Sequence, residues 1–216
     1  MTNLHSGDPK LDINLAHHSP ILKCKLLSNG DLASCDKNGL IKIHELTLGQ
    51  LKYTLKGHSD WVWGLDEVAG EALVSVSNDC TMKFWTPKDQ ICYKTVMSPQ
   101  NKSIRCLKVL SETRLAFASE RIWIYNTLRD DIERHFVGHV DYVRALVHDK
   151  KRNYLLSGGE DQTIRFWNWD SGDNFKSIAC GSAVLCLDVW ENEYVVCGVS
   201  GCSIMFWDLN LKRLIC

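Results

Sequence analysis

Three residue types that could carry out acyl transfer lie close together in the second half of the chain. His139 is followed by Ser157 and Asp161. Such residues form a hydrolytic triad when the imidazole lies between the hydroxyl and the carboxylate. The same three types also occur earlier, at positions 58, 75 and 79. The pattern therefore allows two interpretations, a nucleophilic active site or a structural hydrogen-bond network that recurs along the chain.

The recurrence favours the structural interpretation. In both sets a tryptophan follows the aspartate by six residues, Trp85 after Asp79 and Trp167 after Asp161. A single active site gives no reason for two sets at matched spacing. The sequence also has neither a G-x-S-x-G elbow nor a phosphate-binding glycine loop. We therefore expect a protein that is not an enzyme and predict no catalytic residue.

A longer repeat contains both sets. A motif of an apolar, a variable and a small residue followed by leucine begins at Val62, Ile104, Val143 and Val184, and a weaker copy begins at Leu22. Successive starts are 40, 42, 39 and 41 residues apart. Periods of this length are typical of propellers and other repeat architectures.

Each period has the pattern of about four short strands. Runs such as ALVSVS and TMKFW are rich in β-branched and aromatic residues and are separated by polar turns such as NDC. A small sheet of this kind buries its faces only by stacking on neighbouring sheets. The sequence therefore predicts an all-β fold, a β-propeller of four-stranded antiparallel blades with about five repeats.

The predicted organisation is a short tail at 1–10 and a propeller at 11–216, with repeats at about 18–56, 57–98, 99–137, 138–178 and 179–216. A strand at 11–16 precedes the first repeat and another at 212–216 follows the fifth, which predicts about five blades plus one redundant outer strand. Five repeats leave three alternatives: a small closed ring, an open ring completed by a partner or a second copy, or a fragment of a longer protein. An open ring would expose sheet faces and edges, and we expect it to associate.

Composition narrows the class of protein. The net charge is −1, and 45% of the residues are hydrophobic, without an apolar run long enough to span a membrane. The N-terminal residues lack the apolar region of a secretion signal, so ten cysteines indicate a reducing compartment, the cytoplasm or the nucleus. Cys24, Cys106 and Cys186 share the small-residue column, where packing explains them better than redox or metal chemistry. We predict no metal and no cofactor.

These residues resemble the WD-repeat (WD40) family. The matching elements are GHSDWV from Gly57, GHVDYV from Gly138, SNDCTMKFW from Ser77, SGGEDQTIRFW from Ser157 and FWD ending at Asp208. The resemblance implies that the His, Ser, Asp and Trp of a repeat form a buried hydrogen-bonded tetrad. Two sets are complete: His58, Ser75, Asp79 and Trp85, and His139, Ser157, Asp161 and Trp167.

The other repeats depart from this pattern. The first has a partial set, His18, Ser34, Asn38 and His44, whereas the third and fifth have lost most of the polar members. We expect these three repeats to be held mainly by apolar packing and to open more easily.

The resemblance also places function on the rim that the loops before the inner strands build, where family members bind partner peptides. Trp, Tyr and Arg are the types that dominate binding energy at interfaces. The candidate partner-binding residues are Lys23, Asp60, Trp61, Trp63, Arg105, Asp141, Tyr142 and Arg144. For Trp63 and Arg144 the alternative is that they only fill the mouth of the channel.

We therefore expect a non-enzymatic scaffold or adaptor for protein–protein interactions in an intracellular complex, such as a ubiquitin-ligase, signalling or trafficking assembly. Its partners would be extended peptide segments of other proteins. The alternative is an RNA-associated assembly factor with a basic and aromatic rim. The near-neutral net charge makes nucleic acid the weaker expectation, and no membrane partner is expected.

Overall fold

The structure is a computed structural model that describes residues 17–68, 72–191 and 193–209, and the backbone of 213–214. The predicted tail at 1–10 and the predicted strand at 11–16 lie outside the described residues. Within the described part the chain forms five four-stranded antiparallel sheets, each from one continuous segment. The all-β propeller predicted from the repeats is confirmed.

The strand bounds define five blades, in which the strands follow one another from the channel outward. Blade 1 contains β1 (Ile21–Leu26), β2 (Asp31–Asp36), β3 (Ile41–Glu45) and β4 (Gln50–Leu55). Blade 2 contains β5 (Val62–Val68), β6 (Ala72–Ser77), β7 (Thr81–Thr86) and β8 (Ile91–Met97), with a 3₁₀ turn at Pro87–Asp89. Blade 3 contains β9 (Cys106–Val109), β10 (Arg114–Ala118), β11 (Ile122–Asn126) and β12 (Asp131–Phe136).

The last two blades follow the same plan. Blade 4 contains β13 (Val143–Asp149), β14 (Tyr154–Gly159), β15 (Thr163–Asn168) and β16 (Asn174–Ala179). Blade 5 contains β17 (Val184–Trp190), β18 (Tyr194–Val199), β19 (Ser203–Asp208) and β20 (Arg213–Leu214). Among the described residues no helix is long and apolar enough to cross a membrane.

Burial explains why the strands have these sequences. The second strands of blades 2 and 4 are buried on both faces over nearly their whole length, and both are continuous apolar or small-residue runs. The outer strand β8 instead alternates exposed and half-buried positions, because only one of its faces packs inward.

The core consists of apolar clusters between adjacent blades. Trp85 packs with blade 1 residues such as Ile43, and Trp167 packs with blade 3 residues such as Ile124. Further clusters join blade 2 to blade 3 and blade 4 to blade 5. Since each cluster takes residues from two sheets, a blade is stabilised by its neighbours as well as by its own ladder.

The two end blades differ from the three between them. Among the described residues, the inner strands of blades 1 and 5 do not pack on each other as neighbouring inner strands do. Leu26 of blade 1 is 60% exposed and Ile204 of blade 5 is 64% exposed. Of the three cysteines expected to pack in the small-residue column, Cys106 is buried, but Cys24 and Cys186 are exposed. That packing prediction was wrong for Cys24, because the ladder pairs Lys23 with Cys35 as it pairs Gly64 with Val76, which places Lys23 in the small-residue column. It was wrong for Cys186 because no described blade packs on the far side of blade 5.

Candidate functional site

The suspected triad of blade 4 is a hydrogen-bonded chain. His139 lies between the other two groups, with Nδ1 at 2.8 Å from Asp161 Oδ2 and Nε2 at 2.6 Å from Ser157 Oγ. The indole Nε1 of Trp167 donates to the same hydroxyl at 2.7 Å. Every group is satisfied if the indole donates to the serine, the serine to Nε2, and Nδ1 to the carboxylate. These hydrogen bonds link the loop before β13 to the turn between β14 and β15.

This geometry meets the distances of a hydrolytic triad but not its access requirement. Ser157 is fully buried, and its oxygen already accepts the indole hydrogen. A nucleophile must reach a substrate carbonyl beside an oxyanion hole. Ser75 is equally buried in blade 2. The arrangement can therefore join secondary-structure elements, whereas it offers no route for acyl transfer at either serine.

The electrostatics of the blade 4 network favour an ionised aspartate. Burial alone would raise the pKa of the Asp161 carboxyl, but the hydrogen bond and charge of His139 and the hydrogen bonds from Thr163 and the Val140 backbone lower it to about 2. The carboxylate also accepts the Thr163 N–H, which closes the turn after Asp161. Gln162 in this turn has φ 62°, a left-handed backbone that costs free energy in a residue other than glycine.

Blade 2 contains the same network. His58 Nδ1 lies 2.7 Å from Asp79 Oδ2, and His58 Nε2 lies 2.7 Å from Ser75 Oγ. Trp85 Nε1 donates to that hydroxyl at 2.8 Å. Burial works against the ionised form of Asp79, but hydrogen bonds from His58 and Thr81 hold the pKa of its carboxyl well below the usual value.

Blade 1 has a network that the sequence reading placed one residue out of register. The ring of His17, not that of His18, contacts Asp36 at 2.9 Å and Ser34 Oγ at 2.7 Å. Cys24 pairs with Ser34 in blade 1, and Leu65 pairs with Ser75 in blade 2. Cys24 therefore takes the position of Leu65, and the first repeat begins one residue earlier than predicted. The carboxylate comes from Asp36 and not from the position of Asn38.

Blades 3 and 5 have different contacts at these positions. In blade 3, Gln100 accepts a hydrogen bond from Ser119 at 3.2 Å, and the Tyr125 hydroxyl donates to Asp130, which also pairs with Lys94 of blade 2. In blade 5, the thiols of Cys180 and Cys197 occupy the places of the histidine and the serine, and the hydrogen bond between them lowers the pKa of Cys197.

The candidate rim residues are positioned by β-bulges at the start of the inner strands. The ladder of β5 and β6 skips a position at Trp63, and that of β13 and β14 skips one at Arg144. A bulge re-aims a side chain without breaking the sheet. Arg105 immediately precedes β9, where its backbone N–H donates to Ala118 at 2.8 Å. Three neighbouring blades therefore each supply one large side chain to the mouth of the channel.

These side chains stack on one another. The Arg105 guanidinium lies 4.6 Å from the ring centre of Trp63 and 4.9 Å from that of Tyr142. The Arg144 guanidinium lies 5.2 Å from the same Trp63 ring. Cation–π stacking of this kind holds arginines with little loss of their hydrogen-bonding capacity. Lys23 joins Trp63, Arg105 and Arg144 in lining a cavity of about 110 Å³. We call Lys23, Trp63, Arg105, Tyr142 and Arg144 the channel-mouth cluster.

The remaining candidate residues lie beside this cluster. Asp60 accepts the backbone N–H of Trp61 and a side-chain hydrogen bond from Asn78, both at 2.7 Å, and Asp141 accepts the backbone N–H of Tyr142 at 2.7 Å. These aspartates shape the loops that enter β5 and β13. Trp61 is 36% exposed, and its ring centre lies 5.4 Å from that of Trp63.

Two residues that the sequence reading missed complete the surface. Glu160 forms an ion pair with Arg144 at 3.3 Å, and the Lys37 ammonium lies 4.0 Å from the centre of the Trp61 ring. Both lie in turns between middle strands. The only sequence signal was their position next to the tetrad turns. Among the described residues no group of three or more His, Cys, Asp or Glu could hold a metal ion.

Comparisons with known proteins agree with this architecture. The WD40 family model, a WD domain with G-beta repeat, matches residues 49–86 and 131–168. The nuclear distribution protein PAC1 of Arthroderma benhamiae is 29% identical over 153 residues, which cover 63% of this chain and 33% of that protein. The WD repeat-containing protein pop2 of Schizosaccharomyces pombe is 26% identical over 198 residues, 87% of this chain and 23% of the relative.

A solved structure shows the same fold. The crystal structure of the WD40 β-propeller domain of Doa1 superposes with a TM-score of 0.76 at 22% identity, over 83% of this chain and 61% of that one. The chain spans a third or less of the length of the two curated relatives.

Proposed function

We propose, since the chain is a WD-repeat β-propeller, that it is a non-enzymatic scaffold whose channel-mouth cluster binds an extended segment of a partner protein. Proteins with this fold are in general interaction modules without catalytic activity. The observation that carries the proposal is the convergence of Trp63, Arg105 and Arg144 from three blades on one half-exposed surface. Aromatic and arginine side chains anchored in this way are typical of interface hot spots.

The two buried serine–histidine–aspartate networks support the non-enzymatic part of the proposal. Their hydroxyls are closed off from solvent, so they stabilise the blades that present the cluster. The likeness to proteins named for nuclear distribution supports a complex concerned with transport over a ligase or signalling assembly, in the cytoplasm or the nucleus.

A selection from a phage-displayed library of random twelve-residue peptides tests the proposal. Phage would be enriched on the wild-type chain and depleted on a Trp63→Ala/Tyr142→Ala variant, which has lost the two rings on which Arg105 and Arg144 stack. We expect peptides that bind the wild type with micromolar affinity and the variant at least tenfold more weakly. If no peptide survives the depletion while the variant melts at the wild-type temperature, the rim is not a peptide-binding surface.

RNA binding is the less favoured function on the geometry of the same cluster. Single-stranded nucleic acids bind such surfaces by stacking bases on free aromatic faces. Arg105 and Arg144 already cover Trp63, and Arg105 covers Tyr142. Trp61 is more exposed than Trp63 and Tyr142, and Lys37 lies against its ring.

A further inference from the structure

The cavity at the channel mouth is lined by three cationic side chains, and none of the described residues that line it is acidic. Lys23, Arg105 and Arg144 line one cavity of about 110 Å³. Glu160 pairs with Arg144 from the edge, with its own side chain 38% exposed. Within the described residues no carboxylate oxygen lies within 4.0 Å of the Lys23 or Arg105 nitrogens. Two of the three cations therefore have no ion-pair partner among the described residues.

Unpaired hydrogen-bond donors lie at the same place. The Nε of Arg105 and the indole Nε1 of Trp63 are buried and have no hydrogen-bond partner in the described part of the chain. Buried donors in folded proteins are nearly always paired, so an unpaired donor calls for an explanation. Here a guanidinium and an indole donor lie in one stacked cluster, and a bound oxyanion can accept hydrogen bonds from groups of both kinds.

The two arginines are also held together against their mutual repulsion. Both guanidinium groups stack on the Trp63 ring, one at 4.6 Å and one at 5.2 Å. Burial, together with the positive charge of Arg144, lowers the pKa of the Arg105 guanidinium. A bound anion would relieve the repulsion and replace the solvation that burial has removed.

We propose that the channel mouth binds the carboxylate of an aspartate or glutamate in an acidic segment of a partner protein, through Arg105 and Arg144 with Lys23 across the cavity. The inference rests on the proposed function and assigns its ligand class. The small cavity and the neighbouring carboxylates of Asp60 and Asp141 favour a single negative charge over a doubly charged phosphoryl group. The stacked aromatic faces favour a peptide over a nucleic acid.

The phage selection described above supplies the probes for the test. We expect the enriched peptides to share one aspartate or glutamate position. A fluorescein-labelled synthetic peptide in which that residue is replaced by the neutral amide should bind at least tenfold more weakly by fluorescence anisotropy. The affinity of the parent peptide should also fall as salt rises from 50 to 200 mM.

Variants of the chain locate the contact. Arg105→Gln and Arg144→Gln should each weaken the acidic peptide at least tenfold, while Lys151→Gln removes one positive charge at the opposite end of blade 4 and should leave binding unchanged. Arg144→Glu should restore binding of a peptide with lysine at the acidic position. Melting temperatures equal to that of the wild type show that the variants fold. If Arg105→Gln melts at a lower temperature, the two variants Arg144→Gln and Arg144→Glu decide the test.

Several outcomes would overturn the inference while leaving the proposed function standing. The inference is wrong if the enriched peptides share no acidic residue and bind the arginine variants as tightly as they bind the wild type. A phosphoserine at the shared position that binds ten times more tightly than glutamate would replace the carboxylate by a phosphoryl ligand. A twelve-residue oligouridine that competes at equal concentration would replace the peptide by RNA. The loss of all enriched peptides in the depletion step would instead refute the proposed function itself.

Discussion

At the residue scale, the chain shows that triad geometry alone does not make an enzyme. In blades 2 and 4 a histidine lies within 2.8 Å of both a serine and an aspartate, yet each serine is fully buried and receives an indole hydrogen bond. The interactions that would activate a nucleophile here satisfy buried polar groups. Access to solvent, which the spacing of residues does not encode, separates the two roles.

Removal of the central hydroxyl measures this role. Ser157→Ala should lower the free energy of unfolding by about 1–3 kcal/mol, because it leaves the Trp167 indole N–H and the Nε2 atom of His139 without partners. Urea unfolding would give the value. Ser200→Ala, at an exposed serine, is the matched control and should change it little. In a Trp167→Phe background, Ser157→Ala should lower the free energy of unfolding by less than it does in the wild type. An equal loss in both backgrounds would refute the coupling between Ser157 and Trp167.

Acid should weaken the same network. The pKa of the Asp161 carboxyl falls from its usual value near 3.8 to about 2 in the folded chain, so its stabilising effect is complete above about pH 4 and is lost as pH falls through 2. Urea unfolding between pH 5 and pH 2 should therefore show a smaller loss of stability in Asp161→Asn than in the wild type. Parallel curves for the two proteins would contradict the prediction.

Recurrence made the two complete tetrads predictable from the sequence. In blade 1, two adjacent histidines, His17 and His18, offered equal candidates, and no Gly-His pair marked the start of the repeat. The carboxylate of Asp36 lies two residues before the expected position and still reaches the histidine. Local side-chain reach of this kind depends on backbone geometry, so the pattern could not distinguish the alternatives.

At the element scale, close approach between sheets is set by small residues on the second strands. Gly158 of β14 faces blade 5, and a Cβ at this position would lie 2.4 Å from Val184 Cγ1 and 2.9 Å from Val184 Cβ. Val184 itself is fully buried at the start of β17. A methyl group here would have to push the two sheets apart or distort one of them.

Gly158→Ala should therefore destabilise the chain by about 1–3 kcal/mol and loosen blade 5 more than blade 2. Denaturant unfolding gives the first quantity, and hydrogen exchange of the β17 to β19 amides gives the second. Gly201→Ala is the control, since its Cβ would meet the Ser182 hydroxyl, a group that can rotate away. Equal effects of the two substitutions would show that sheet spacing at Gly158 is not tight.

Blade 3 allows the contributions of the tetrad and of the neighbouring blades to be separated. Among the described residues, blades 3 and 4 both lie between two neighbours, but only blade 4 has a complete tetrad. Blades 3 and 5 both lack a complete tetrad, but of these two only blade 3 is covered by described blades on both faces. We expect hydrogen exchange to be slowest in β14, intermediate in β10 and fastest in β18. Equal rates in β10 and β18 would mean that coverage by a neighbouring blade does not protect these strands.

The strand pattern was readable at this scale, whereas the bulges were not. Alternating apolar residues and polar turns indicated the four strands of each blade, because a sheet that is covered on its faces needs those residues. The skipped ladder positions at Trp63 and Arg144 depend on how each inner strand twists toward the channel. No residue type marks them, and they determine where the cluster points.

At the scale of the whole molecule, we expect solution behaviour to depend on the faces of blades 1 and 5 that no other described blade covers. Leu26, Leu185 and Ile204 are large apolar residues with 43–64% exposure. Large apolar side chains that are exposed in this way promote association. Among the described residues the inner strands of blades 1 and 5 do not pack on each other as neighbouring inner strands do. The open ring that associates, one of the three alternatives that the sequence leaves, stays a prediction.

Light scattering tests this expectation on the 216-residue chain. The mean mass should rise with protein concentration, and a Leu26→Lys/Ile204→Lys variant should remain closer to the mass of one chain, because charge on an apolar face opposes burial. Leu128→Lys, at a 79% exposed leucine of the β11 to β12 turn, is the control. A constant single-chain mass for the wild type would contradict the prediction.

The contiguity of each blade has a consequence for how such chains change over generations. All four strands of a sheet come from one unbroken segment, so a genetic crossover in the loop between two blades separates whole sheets and cuts no ladder. Duplication, loss or exchange of a segment of about forty residues would therefore add or remove one complete unit. What such a recombinant must preserve is the fit between adjoining faces, as between Gly158 and Val184, and this fit limits which units can be neighbours.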